Sequence, residues 1–363
     1  MAELIIEKVN EVYLKITSEP HVEYELRDRF TFEIENKKFM PQYRNRHWNG
    51  EIHLYNMKTK RIYCGLLDKV VAFAEGAGYN YKFLNNKFYG PPFEVNELIS
   101  KGGVKDYMES VAPGIKPRDY QIDGVYDALR YNRKLLISPT GSGKSFMIYS
   151  VVRYHVAKRR KILLVVPTTS LVEQMYKDFE SYGWDTQNHC HRIYAGRERV
   201  NTNEVTITTW QSIYELDRKF FEPYDVVIGD EAHLFKSKSL ISIMDKLHHA
   251  KFRYGFTGTL DGSQTHKWVL EGLFGPSYKV TQTKKLQDEG HLATLDIQCL
   301  VLKYKPKKFD TYEDEIQFLI GHEKRNKFIT NLVTDLKGNS LVLYSRVEAH
   351  GAILYDLINK KVS

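Results

Sequence analysis

The stretch Ser138-Pro139-Thr140-Gly141-Ser142-Gly143-Lys144-Ser145 decides the fold. An apolar run, Leu135-Leu136-Ile137, precedes it and is short enough for a buried strand. The residues from Phe146 to His155 follow and read as a helix. Strand, glycine-rich turn and helix is the setting of a phosphate-binding loop. Gly141 and Gly143 let successive backbone N–H groups curl toward phosphate oxygens, with Pro139, Thr140 and Ser142 completing the cradle. The new helix presents its positive end to the same anion. Lys144 then reaches the β- and γ-phosphates of ATP, and Ser145 offers its hydroxyl to Mg²⁺. Ser138 stands where the pattern usually has its first glycine.

Outward from this loop, strands alternate with helical stretches. Lys161–Val166, Val205–Thr209, Tyr224–Ile228 and Phe252–Phe256 read as strands, with a helix Leu171–Tyr182 capped by Ser170. Such alternation implies an α/β fold, a parallel sheet with helices on both faces. Ligands in these sheets bind beyond the carboxyl ends of the strands. The chemistry is therefore expected in the loops at Pro139, Pro167, Thr209, Asp230 and Thr257.

Asp230-Glu231-Ala232-His233, a DEAH box, stands at one such end. Asp230 suits a Mg²⁺ site opposite Ser145, and Glu231 suits a general base for an attacking water. His233 is a polar link to other loops. Thr257-Gly258-Thr259 ends the last strand and fits a coupling turn touching His233. Upstream, Arg118-Asp119-Tyr120-Gln121 offers an adenine contact: a Gln amide for the N6 and N7 edge, with Arg118 or Tyr120 stacked on the ring.

Composition narrows the partners. The 363 residues are long enough for two or three domains. A hydrophobic content of 42% with 27% charged residues fits a globular protein. The net charge of +8 favours an anionic partner such as nucleic acid. The first residues carry acids where a secretory leader needs bases, and no apolar run approaches a membrane span. A cytoplasmic protein is expected. Cys64, Cys190 and Cys299 are scattered and odd in number, which suits free thiols. His189-Cys190-His191 has no second ligand pair to make a metal site.

Residues 1–110 read as a small α+β domain. Leu4–Ile6, Val12–Ile16 and Phe32–Ile34 are expected strands. His21–Phe30 and Leu66–Glu75 are expected helices, the second ended by Gly76-Ala77-Gly78. Ile52–Tyr55 and Arg61–Cys64 read as a hairpin. Between Lys37 and Arg61, seven basic side chains face the single carboxylate Glu51, a net of +6. Arg44 and Arg46 suit phosphates there. Trp48 either stacks on bases or sits in a small core, and both readings stand.

These motifs resemble, in order and spacing, those of the superfamily 2 helicases. Ser138–Ser145, Pro167–Gln174, Asp230–His233 and Thr257–Thr259 match motifs I, Ia, II and III, and Arg118–Gln121 matches the adenine-reading motif. Glu25–Asp28, Trp48–Gly50 and the residues from Leu66 resemble the N-terminal domain of phage-encoded members. Gly321–Lys327 and Leu341–Tyr344 through Gly351 resemble the start of a second motor domain.

The resemblance implies three parts: an N-terminal nucleic-acid-recognition domain over 1–110, a RecA-like ATP-binding domain over 111–290, and a linker with an incomplete second RecA-like domain over 291–363. It implies an ATP-driven enzyme with Mg²⁺ that unwinds branched DNA, migrates branches, regresses forks in recombination and repair, and acts on RNA–DNA hybrids. A monomer is the expected state, with no sequence feature that fixes it. Thr168, Arg197 and Thr209 fall where the family touches the nucleic-acid backbone.

The family also has a motif VI that supplies an arginine finger, worth about 10³–10⁵ in rate. No Gln-x-x-Gly-Arg-x-x-Arg stretch occurs before Ser363. The chain therefore reads as part of a longer protein, with an unpaired strand expected near 341–344. Two alternatives follow: an ATP- and DNA-binding fragment with little turnover, and an RNA helicase, since the motor motifs do not separate DNA from RNA.

Overall fold

The computed structural model describes residues 2–34, 37–194, 203–294, 296–303, 305 and 307–362. The chain forms two compact units, Met1–Ala293 and Thr294–Ser363.

The first unit holds thirteen described strands: β1 Glu3–Lys8, β2 Tyr13–Thr17, β3 Thr31–Glu33, β4 Glu51–His53, β5 Arg61–Tyr63, β6 Asn80–Leu84, β7 Arg133–Ile137, β8 Ile162–Val166, β9 Cys190–Ile193, β10 Val205–Thr209, β11 Val226–Asp230, β12 Phe252–Thr257 and β13 Ser277–Lys279. The last seven make one all-parallel sheet in the order β13-β7-β12-β11-β8-β10-β9. β8, β10, β11 and β12 are buried along their whole length. Continuous β-branched and apolar runs such as Ile162-Leu-Leu-Val-Val166 suit strands covered on both faces. The α/β architecture expected from the sequence is present, with a small N-terminal α+β domain beside it.

Four N-terminal strands form a second sheet, β5-β2-β1-β6, and β3 pairs with β4 alone. This corrects the hairpin expected from 52–64. β4 pairs with β3 and β5 with β2, and only an Asn56–Arg61 bridge joins the two arms. Residues 54–60 thus form a crossover between sheets. The helix Leu67–Ala77 packs beneath and ends where Gly78 takes φ 73°, a left-handed cap that glycine adopts without Cβ strain.

The N-terminal sheet and the seven-stranded sheet share one apolar core. The helix Gln264–Phe274 lies at the seam. Its Trp268 ring meets Phe30 and Phe32 with centroids 5.3 and 5.1 Å apart. Gly65 crosses it so closely that a Cβ would stand 2.0 Å from the Glu271 carbonyl oxygen. Arg133 donates to the Glu11 carboxylate at 2.6 Å across the same seam.

The second unit contains helices Tyr312–Ile320, Glu323–Asp335 and Ile353–Val362. The strand expected near 341–344 is absent among the described residues, and Leu341 and Leu343 are exposed. A strand needs a neighbour to occupy its backbone groups, and none pairs with it here. Among the described residues, no helix is long and apolar enough to cross a membrane.

Candidate active site

The phosphate-loop candidate turns from the end of β7 into the helix Lys144–Ala157. Gly141 and Gly143 take φ of 79° and 82°, the left-handed region the curl requires. Ser138 does more than replace a glycine. Its buried hydroxyl lies 2.7 Å from that of Ser142, and its N–H donates to the Thr257 carbonyl at 2.7 Å. The loop is thereby pinned to the neighbouring strand end.

β11 stands two strands from β7, with β12 between them. Asp230 ends β11, and Glu231 follows with φ 49°. That left-handed turn carries the Glu231 carboxylate between two partners. Lys144 Nζ lies 3.2 Å from Oε1, and His233 Nδ1 lies 3.2 Å from Oε2. His233 Nδ1 also stands 3.0 Å from Thr257 Oγ1, which donates to the Thr259 carbonyl. Gly258 comes close to the loop as well, since a Cβ there would stand 3.7 Å from Lys144 Nζ. The structure therefore gathers Lys144, Glu231, His233 and Thr257 into one continuous polar chain.

Asp230 is buried, and its Oδ1 has no protein hydrogen-bond partner. Burial and the neighbouring Glu231 carboxylate push its pKa up to about 6, with Lys144 opposing. A desolvated carboxylate oxygen without a partner, two strands from the loop strand, fits a divalent cation shared with Ser145. Asp230 and Ser145 would hold Mg²⁺, which would supply charge neutralisation to bound phosphates.

The upstream motif lies against the loop from outside. Gln121 is buried; its Nε2 donates to the Ser142 carbonyl at 2.9 Å, and its Oε1 accepts the Arg118 N–H. Tyr120 donates to the same Ser142 carbonyl at 3.1 Å, and Arg118 Nη1 donates to the Tyr120 hydroxyl. A Cβ on Gly143 would come within 2.4 Å of Gln121 Nε2. Gln121 and Tyr120 thus brace the loop itself, a role that no local sequence pattern signals. Leu292 has no sequence signal either. It packs on Gly141, where a Cβ would stand 2.4 Å from its Cδ2.

The nucleic-acid candidates divide. Thr168 is exposed at the end of β8, and its hydroxyl accepts the Leu171 N–H as the helix cap in place of Ser170. Thr209 is only 4% exposed, with its hydroxyl 2.9 Å from that of Ser212. Thr209 is the last residue of β10, so its hydroxyl packs against its own turn. Arg197 lies outside the described residues. Arg44 and Arg46 are exposed beside Lys38, Tyr43 and His47 around one shallow depression. Trp48 is half-buried there, and its indole donates to the Glu51 carbonyl at 2.8 Å. Trp48 therefore holds the loop. Phe39 in the same basic stretch presents its ring to solvent, at 80% exposure.

Cys64 and Cys190 are buried free thiols, pushed by burial up to about 11 and about 12, and Cys299 is exposed. His189 stacks on Trp184 and lies 3.2 Å from a Glu204 carboxylate oxygen.

Residues 114–262 match the family model of the res subunit of type III restriction enzymes. Residues 7–84 match that of the DNA helicase UvsW N-terminal domain. The ATP-dependent DNA helicase UvsW of Enterobacteria phage T4 is 29% identical over 367 residues, spanning 96% of this chain and 72% of that protein. In its motifs and in these matches the chain is similar to the superfamily 2 helicases. The chain also matches a crystal structure of the bacteriophage T4 UvsW helicase with a TM-score of 0.68, at 28% identity. That match covers 76% of this chain and 99% of the other. The DNA 3'-5' translocase XPB2 of Sulfurisphaera tokodaii is 28% identical over 58% of this chain and 45% of its own length.

Proposed function

We propose that this protein binds ATP with Mg²⁺ at the β7 loop and uses its hydrolysis to remodel branched DNA. The observation that carries this reading is the Lys144–Glu231 pair, which joins the loop lysine to the carboxylate after β11. In the reading, ATP phosphates enter the cradle of Pro139–Ser145 and draw Lys144 from Glu231. Glu231 is then freed to orient and deprotonate water at the γ-phosphate. Asp230 and Ser145 hold the cation. His233, through Thr257, Gly258 and Thr259, passes the change of charge to the strand ends. Arg118 and Tyr120 lie beside the base.

DNA is the proposed partner because the N-terminal residues match a DNA-helicase domain and carry the exposed basic depression. Thr168 and the depression of Arg44 and Arg46 would meet phosphates, with Phe39, rather than Trp48, stacking on bases. Work enters as differential grip on DNA between nucleotide states. Branch migration, fork regression and unwinding of RNA–DNA hybrids are the activities this reading assigns. Turnover stimulated equally by single-stranded RNA and by a branched DNA would overturn the choice of DNA. Stimulation by branched DNA well above both RNA and linear duplex is the result expected.

A further inference from the structure

The helix Gln264–Phe274 touches both halves of the first unit. At its start, His266 is 5% exposed, and its Nε2 lies 2.9 Å from the His233 carbonyl oxygen. His266 Nδ1 lies 2.7 Å from Asp261 Oδ2. Asp261 in turn accepts from the Ser263 N–H and hydroxyl and from Lys236 Nζ at 3.3 Å. The imidazole thus has a carboxylate beside one nitrogen, and the other nitrogen lies against the backbone of the DEAH turn.

One face of the helix meets the N-terminal domain, while Phe274 packs on Phe235 of the other half. Trp268, two residues on, fills the space between Phe30 and Phe32, with Arg29 and Lys69 against its ring. Glu271 is 2% exposed and ion-pairs with Lys69 at 2.8 Å. Burial opposes its charge, yet the bonds to Lys69 and Ser277 hold its carboxyl below the usual range. Gly65 and Gly272 remove the last Cβ atoms from this contact: one on Gly272 would stand 3.0 Å from Tyr63 Cβ. A helix seated on backbone at this distance cannot shift without moving the partner.

We propose that His266 is a positioning residue and that Gln264–Phe274 is a transmission helix. Through it, displacement of the N-terminal domain by bound DNA moves the His233 turn, and with it Glu231, relative to Lys144. This rests on the proposed roles of Glu231 and of the N-terminal domain. Its test reads backbone protection rather than turnover, so either idea can fail alone.

The experiment is a double-mutant cycle read by amide hydrogen exchange without nucleotide. It uses the full chain and Trp268→Ala, His266→Ala, the double variant and His266→Gln, which keeps a donor near the position of Nε2. Trp268→Ala is expected to speed exchange of the peptide over 231–236 at least tenfold. The same change is expected to add less than twofold in the His266→Ala background. His266→Gln is expected to restore parent-like exchange. The peptide over β8 reports global stability, and Trp268→Phe replaces Trp268→Ala if that strand loses protection. No change at 231–236 in a folded Trp268 variant, or equal acceleration with and without His266, overturns the proposal.

Discussion

Lys144 Nζ lies 3.2 Å from Glu231 Oε1, an ion pair that joins the loop lysine to the carboxylate after β11. Both groups are partly exposed, which makes the pair displaceable by a phosphate rather than a fixed strut. Lys144→Ala is expected to weaken ATP binding and to reduce turnover by about 100-fold or more, the scale on which a transition state suffers when one electrostatic partner is removed. Glu231→Gln is expected to keep ATP binding and lose turnover. Equilibrium binding of a fluorescent ATP analogue beside single-turnover hydrolysis separates the two. Parent-like hydrolysis in Glu231→Gln would remove it as the base.

Asp230 carries a pH signature. Its pKa is raised from 3.8 to about 6 by burial, then by Glu231. Between these values the native state holds a proton that the unfolded chain has lost, so native stability falls as pH rises from about 4 to about 6. Asp230→Asn has no such proton. With metal chelated, the variant should gain on the parent through that window and level off above it, by up to about 3 kcal/mol. Urea melts across this window and above it measure the effect, and parallel profiles would contradict it.

Gly143 tests the brace between loop and motif. Its φ of 82° strains any side chain, and a methyl group there would push aside the Gln121 amide, whose Nε2 stands 2.4 Å from that position. Gly143→Ala should lower ATP affinity by about tenfold or more while costing about 1–3 kcal/mol of stability. An alanine variant with parent-like ATP affinity would show that the loop does not need this bracket.

The basic depression makes a salt prediction. Replacing Arg44 and Arg46 together by Ala should reduce the slope of log affinity against log salt on duplex DNA by about 2. Phe39→Ala should leave that slope unchanged and cost about 1–3 kcal/mol on substrates with unpaired bases. Trp48→Phe should loosen the loop, since it removes the indole donor to Glu51. A Phe39 variant with full affinity on both duplex and single-stranded DNA would remove the stacking role.

The parts legible in the sequence were those where one local pattern admits few geometries. Gly-Ser-Gly-Lys-Ser after an apolar strand fixes a turn, and Val-Val-Ile before Asp230 fixes a buried strand end. The distant contacts were not legible. Gln121 reads as an adenine contact because its amide suits that edge, yet the same amide suits the Ser142 carbonyl 21 positions on. Thr209 is placed in the sequence only by resemblance, and its contact with Ser212 becomes visible in the fold. His266 belongs to no local motif; only folding brings it to a carbonyl 33 positions away. The paired strands assumed between Ile52 and Cys64 failed for a similar reason. Register across a turn says nothing of a better partner elsewhere, here β2 and β3.

The central claim is tested most directly by ATP turnover of this chain with and without a branched DNA, beside Lys144→Ala. The predicted result is turnover raised by the branched DNA in the parent and abolished in the variant. Hydrolysis by Lys144→Ala at the parent's rate would contradict the assignment of the nucleotide site.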